Sequence, residues 1–231
     1  MATMAQSISR SAIGLGLFAV ITGGTIALTQ AVTKERIAEQ AARAEAAALF
    51  EIIPESAHSN DMLNDTISLP DAAVLNSGEA PSAWVARQQS DLVGFIIPVT
   101  ATDGYSGDIN LLVGITPSGE LLGVRVTGHH ETPGLGDRIE TRKSDWVYQF
   151  NGHSLANTPG KQWNVKKNGG EFDQFTGATI TPRAVVKAVH RTLLYVRAHQ
   201  AKIRQSLGVL AEPGSRKQRN AVASHFSAPE H

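Results

Sequence analysis

Three threonines crowd one short stretch of the sequence, DQFTGATITPRAVVKAV, from Asp173 to Val189. Thr181 is followed by Pro182, and that pair reads as a helix start. A threonine oxygen at the cap accepts an orphaned first-turn amide, and proline has no amide to leave unpaired. Thr179 falls in the loop leading into that helix. There, unpaired amides and the positive end of the helix dipole favour an anion such as a phosphate. Gly177 and Ala178 keep the approach to the backbone uncluttered, and Thr176 adds a further hydroxyl. On these residues alone, the segment is either an anion site or a polar loop that caps a helix, and both readings stand.

A second stretch, GHHETPGLGDRIE (Gly128 to Glu140), holds two glycines and a proline in the loop Glu131–Gly136. Such a loop can lie flat against a ring system, with Leu135 offering apolar contact and Thr132 a hydrogen bond. It also reads as an ordinary turn. His129 and His130 are adjacent, so in extended backbone they point to opposite faces and rarely share an ion. With no cysteine in the chain to complete a set, no metal site is expected. The GLGD segment neither completes a dinucleotide fingerprint nor joins a strand to a long helix. Tyr105, Trp146 and Trp163 have faces that could stack on a ligand, but core packing is the better reading for each. No Ser/His/Asp arrangement stands out, and no catalytic side chain is expected.

The elements that must position these residues are legible from pattern. DLVGFIIPVTA (Asp91–Ala101), DINLLVGIT (Asp108–Thr116) and GELLGVRVTG (Gly119–Gly128) are β-branched, apolar and joined by short loops, which argues an antiparallel meander. GDRIETRKSDWVYQFNG reads as a short helix ending at Asn151-Gly152, and KQWNVKKNGGEFDQF as a strand or hairpin turning at Gly169-Gly170. The last helix is expected from Pro182 to about Leu207. Val185, Val189, Leu193 and Val196 form one apolar stripe, and Gly208 stands at C′. Residues 55 to about 90 are mixed, with loop signals.

The 231 residues carry 21 basic and 21 acidic side chains, a balance that gives no drive toward nucleic acid. Ser11–Thr33 contains no charged residue, and it is long enough to cross a hydrocarbon core of about 30 Å. Too long for the apolar core of a cleaved signal peptide, it reads as a retained transmembrane helix. Thr22, Thr25, Thr29 and Gln30, with Gly14, Gly16, Gly23 and Gly24, fit packing on other membrane helices and equally fit tolerance against lipid. The expected organisation is an N-terminal tail (1–10), a transmembrane helix (11–33), a helical stalk (34–54), one domain (55–210, core 90–205) and a disordered tail (211–231). The fold class is α+β, with a mostly antiparallel sheet and flanking helices.

DQFTGAT, Asp173 to Thr179, resembles the Asp-x-x-Ser/Thr-Gly-Ala-Thr motif of FMN-binding domains that carry flavin covalently. GHHETPGLGDRIE resembles the second signature of the same group. With the N-terminal membrane helix, the sequence is similar to the RnfG family, the G-type subunits of the Rnf ion-translocating electron-transport complexes. The nearest competitor is the related NqrC family, from the sodium-translocating NADH:quinone reductase. The resemblance implies FMN joined by a phosphoester to Thr179, which makes the chain a phosphoprotein in the chemical sense. It implies cofactor contacts from Thr176, Gly177, Ala178, Glu131, Thr132, Leu135 and Gly136, and a role for Asp173 in recognition by a flavin transferase. It implies an electron relay inside a larger membrane complex that couples electron flow between ferredoxin and NAD to ion transport, with no substrate turned over by this protein alone. The implied partners are the other membrane subunits and, during maturation, the flavin transferase. The implied location is a bacterial inner membrane, crossed once, with the N-terminus cytoplasmic and the FMN domain periplasmic. Arg10 on one flank against Lys34, Arg36 and Arg43 on the other leans the opposite way by the positive-inside rule. A different functional class also fits the residues: a tethered module that binds a phosphorylated ligand reversibly, without redox chemistry.

Overall fold

The computed structural model describes residues 2–78 and 81–208; the tail expected over 211–231 lies outside them. The chain divides into two compact units, Met1–Ala46 and Ala47–His231. Helix α1 runs without a break over Ala2–Ile52, through the stretches read as tail, span and stalk. Its residues Ile8–Lys34, with a mean hydropathy of 1.9, are long and apolar enough to cross a membrane. The threonines in this stretch satisfy themselves: the hydroxyls of Thr22, Thr25, Thr29 and Thr33 each donate to the carbonyl four residues back, at 2.7–2.8 Å. None of these four hydroxyl protons is left bare where water is absent.

The second unit holds one five-stranded sheet in the order β1-β2-β3-β4-β5, every neighbouring pair antiparallel. The strands are β1 (Thr66–Ser68), β2 (Ser82–Gln88), β3 (Asp91–Ala101), β4 (Ile109–Ile115) and β5 (Leu121–Gly128). The expected meander is β3 to β5. β1 and β2 come from the stretch that had looked mixed. Both faces of the sheet are covered, which is why β3 reads as a continuous apolar run rather than a clean alternation. Phe95, Ile97 and Val99 pack with Val185, Val189 and Leu193 of helix α2 (Ile180–Ala198). Ile96 and Leu112 face the other way, against Leu49, Ile52 and Ile53 at the end of α1.

That second face needs glycine. A Cβ on Gly114 would lie 2.2 Å from Ile52 Cγ2, so only a bare backbone lets the last turn of α1 settle on the sheet. Arg125, 6% exposed, fastens the same turn. Its Nε donates to Glu51 Oε2 at 2.7 Å and its Nη2 to the Glu51 carbonyl at 3.1 Å. The guanidinium lies 4.7 Å from the centre of the Tyr148 ring, a cation–π geometry.

Three expected elements differ. The helix expected over GDRIETRKSDWVYQFNG is two short 3₁₀ turns, Asp137–Ile139 and Trp146–Phe150. The strand or hairpin expected over KQWNVKKNGGEFDQF is again two 3₁₀ turns, Gly160–Gln162 and Lys166–Asn168. Rings decide both. Trp146, Phe150, Phe172, Trp163 and Phe175 interlock at centroid distances of 4.7–5.4 Å, and both indole N–H groups reach carbonyls, of Asp173 and Thr158. Gly170 turns so tightly that a Cβ there would strike the Asn164 carbonyl, which folds the segment back on itself instead of pairing it as a hairpin. The long last helix breaks at His199 into α2 and α3 (Gln200–Ser206). Gly208 follows with φ +69°, as its C′ reading required. The two tryptophans are core residues as read, but Tyr105 is 68% exposed.

Candidate functional site

Helix α2 starts earlier than Thr181-Pro182 suggested. Thr179 already has helical angles (φ −87°, ψ −26°) and is the residue before the first helical position, Ile180. Its carbonyl accepts the Arg183 amide at 3.4 Å. Pro182 therefore sits in the third helical position, where its missing N–H is still one of the first-turn orphans. The Thr181 hydroxyl caps nothing: it is 1% exposed and donates to Glu131 Oε2. The cap position passes to Thr179, whose side chain makes no capping hydrogen bond. Thr179 is partly exposed at the helix entrance, and the Ile180 and Thr181 amides that follow it have no acceptor within the helix.

Before it, Phe175 to Ala178 form a tight turn closed by the Ala178 amide on the Phe175 carbonyl at 3.1 Å. Gly177 has φ +84°, which only glycine takes at that corner of a type II turn without strain. Thr176 and Gly177 are exposed, and Ala178 is half-buried. Thr176, Gly177, Ala178 and Thr179 thus lie together on one turn at the N-terminus of α2.

The second stretch meets this turn. Leu135 Cδ2 lies 3.5 Å from the place a Cβ on Gly177 would occupy, and Leu135 is itself 44% exposed. The loop carrying it is wound by the Leu135 and Gly136 amides, which donate to the Thr132 carbonyl at 3.1 and 3.0 Å. The Thr132 side chain faces solvent. Glu131 has a different placement. It is 4% exposed, and both its carboxylate oxygens are engaged: Oε1 by the Ser106 amide at 3.0 Å, Oε2 by Thr181. One carboxylate thus joins the 104–107 loop, the 131–136 loop and the start of α2. Gly136 packs on this pair, and a Cβ there would stand 3.0 Å from both Glu131 Oε2 and Thr181 Oγ1.

His129 supports the same residue. Its Nδ1 accepts the Glu131 amide at 3.0 Å, so its Nε2 carries the proton and donates to Glu140 Oε1 at 3.0 Å. Burial pushes the Glu140 carboxyl up, but hydrogen bonds from His129 and Arg142, with the charge of Arg142, outweigh it and hold it below the ordinary glutamate value. Asp173 stands at the far side of the turn. Its carboxylate meets Lys166 at 2.7 Å and is half-exposed, while its backbone is pinned by the Trp146 indole and by Gln149.

Sequence reasoning missed Ser106, gave Thr181 the wrong role, and took Tyr105 for a core residue. Thr181 was assigned to a cap because Thr-Pro is a common helix start, and its partner lies fifty residues away. Exposed Tyr105 adjoins Ser106, whose amide meets Glu131. Exposed Ile180, at 38%, lies between Thr179 and Thr181. With Leu135, these give an otherwise polar corner three uncovered apolar side chains.

Comparison with known proteins gives two family matches: an FMN-binding domain over residues 104–194 and an RnfG N-terminal region over residues 1–52. The chain is 47% identical over 198 residues to the G-type subunit of the ion-translocating oxidoreductase complex of Pseudomonas aeruginosa, covering 86% of this chain and 92% of that one. It is 48% identical over 194 residues to the protein of the same name from Photorhabdus laumondii, covering 84% and 92%. Among solved structures it is similar to Shewanella oneidensis NqrC, with a TM-score of 0.41 and 24% identity over 60% of this chain and 67% of that chain.

Proposed function

The chain belongs to the RnfG family, the G-type subunits of ion-translocating oxidoreductase complexes, and on that premise we propose that it is the membrane-anchored flavoprotein of such a complex. It carries FMN through a phosphoester on Thr179 and relays electrons between other subunits. What supports this most is the state of Thr179. Its hydroxyl is free of any capping bond, half-exposed, and placed where a projecting glycine turn enters a nineteen-residue helix.

The residues present fit the group. A phosphoester keeps one negative charge, and the Ile180 and Thr181 amides at the positive end of α2 favour it there. Leu135, Ile180 and Tyr105 offer apolar surface to a ring system, and the solvent-facing Thr132 a hydroxyl. Thr176, Gly177 and Ala178 shape the turn. Glu131 acts from behind, through Thr181 and Ser106, to hold the two loops and the helix in one arrangement. Asp173, exposed beside the turn, serves as a recognition point for the flavin transferase that installs the group. FMN supplies the one- and two-electron chemistry; the protein binds, orients and insulates it. No acid, base or nucleophile is required of the chain, and it turns over no substrate alone.

The apolar stretch of α1 anchors the protein in the membrane, with the flavin domain on the periplasmic side of a bacterial inner membrane. The electrons pass between ferredoxin and NAD in the complex as a whole, coupled to ion movement. The test is a denaturing gel of the full chain, produced in cells that contain the flavin transferase and viewed under ultraviolet light. The wild type should fluoresce and Thr179→Ala should not, while Thr176→Ala keeps part of the signal. A dark wild-type band, or a bright Thr179→Ala band, refutes the ester. A periplasm-dependent reporter fused to the C-terminus tests the orientation, and an inactive fusion refutes it.

A further inference from the structure

From Ile180 to Leu193, α2 carries the chain thirteen residues away from the flavin-bearing turn, about 20 Å at 1.5 Å per residue. There the helix walls a cavity of about 570 Å³. Its apolar surface comes from Leu92 and Phe95 of β3, Leu155, Leu193, Ile203 of α3 and Leu207. The 116–119 and 154–156 loops close it on the opposite side. The hydroxyls there are already engaged: Thr116 Oγ1 and Ser118 Oγ bond each other at 2.8 Å, and Ser154 Oγ accepts the Ala156 and Asn157 amides.

The remaining polar lining is Arg197, Gln200 and Arg204, and no acidic residue lines the cavity among the described residues. Neither guanidinium has a carboxylate within ion-pair distance among the described residues. This is an open apolar cavity whose rim carries two solvent-exposed arginines. Its volume lies in the range of about 300–1,000 Å³ that suits a small ligand. Guanidinium matches a carboxylate in bidentate geometry, and the apolar walls match a hydrocarbon chain.

We propose that this cavity is a binding site for a single-chain carboxylate amphiphile, of the fatty-acid class, whose head pairs with Arg197 and Arg204. The site is separate from Thr179, and it stands whether or not Thr179 carries flavin.

The experiment uses the full chain in lipid nanodiscs and a photoreactive acyl carboxylate, with crosslinked peptides mapped by mass spectrometry. A homologous series of saturated carboxylates, one methylene apart, competes for the label. Labelling is expected within residues 92–95, 154–156 and 193–207. Each added methylene should tighten binding by about fourfold until the chamber is full, after which the gain stops. The matching alcohols should bind about fivefold more weakly, as an exposed ion pair allows. Replacing both arginines, R197Q with R204Q, should reduce the acids to the level of the alcohols without moving the alcohols. Ala156→Trp, a filler on an exposed loop, should weaken both series.

Labels elsewhere overturn the proposal, as does binding that ignores both the arginine pair and the filler. So does labelling that appears only after deletion of residues 209–231, which would make the chain's own tail the occupant. Displacement by an acidic peptide with no dependence on chain length assigns the cavity to a protein partner instead. Displacement by free FMN would make it the flavin site. Gel fluorescence that persists in the arginine pair and vanishes in Thr179→Ala keeps the two sites distinct whichever way the cavity behaves.

Discussion

Glu131→Ala is the sharpest test of how the site is held. The carboxylate is buried and accepts two hydrogen bonds, from the Ser106 amide and the Thr181 hydroxyl. Hydrogen bonds to a charged group contribute about 1.5–3 kcal/mol each, and a partner left buried and unpaired bears the full desolvation cost. The substitution should therefore cost about 3–6 kcal/mol from these two bonds, out of a total stability of about 5–15 kcal/mol. Thr181→Val keeps the shape and removes one donor, costing about 1.5–3 kcal/mol by the same reasoning. Once Glu131 is gone, the Thr181 hydroxyl has already lost its acceptor, so adding Thr181→Val should cost almost nothing more. The double-mutant cycle should show a coupling of about 1.5–3 kcal/mol, well above the few tenths expected of independent sites. Urea unfolding of the full chain, followed by emission from the buried Trp146 and Trp163, supplies the energies, and gel fluorescence reports flavin loading. Glu131→Gln should sit between wild type and alanine, because its amide can still accept from Ser106 while the Thr181 hydroxyl reverses its role. Strictly additive costs in the cycle would refute the claim that this pair fastens the loop to the helix.

Gly177→Ala places a Cβ at φ +84°, a conformation that costs a non-glycine residue about 1–2 kcal/mol; flavin loading should fall more than global stability, measured on the same samples. Asp173→Asn should slow flavin incorporation in a timed pulse while leaving the urea midpoint within about 0.5 kcal/mol of wild type, because its pair with Lys166 is half-exposed. Burial first, then the charge of Asp71, pushes the Tyr195 phenol up to about 12 from an ordinary value of 10.0. A raised folded value means the stability it gives is complete below pH about 10 and is lost as the pH climbs toward about 12. Tyr195→Phe, which also removes the 2.6 Å bond to the Pro70 carbonyl, should abolish that part of the alkaline decline; an unchanged decline would refute it.

What the sequence carried and what it withheld follow from the reach of each interaction. β3, β4 and β5 were legible because their residues are β-branched and their connections are short, so the signal is local. The apolar stripe of α2 was legible for the same reason. The aromatic segments were not. WVYQF and KQWNV were read as parts of regular elements, yet their rings pack on Phe172 and Phe175, and ring packing set their backbone. β2 hid inside a stretch where Trp84 and Ala86 face one side and Val85 the other, so neither alternation nor a long apolar run announced it.

The site shows the same division, and it corrects the chemistry of one residue. The loop carrying Thr179 could be read as the lead-in to a helix, because a turn glycine beside a helix start is a local pattern. The role of Thr181 could not be read, because a threonine before proline looks the same whether its hydroxyl caps a helix or meets a carboxylate fifty residues away. If Thr181 had been the cap, Thr179 would lie outside the helix, and nothing would fix its hydroxyl with respect to the first-turn amides. With Thr181 held by Glu131, the helix begins at Ile180 and makes Thr179 its cap residue, so that hydroxyl stands at the N-terminus itself. The buried carboxylate, which cannot itself attract an anion, thereby sets the position of the group that would bear one.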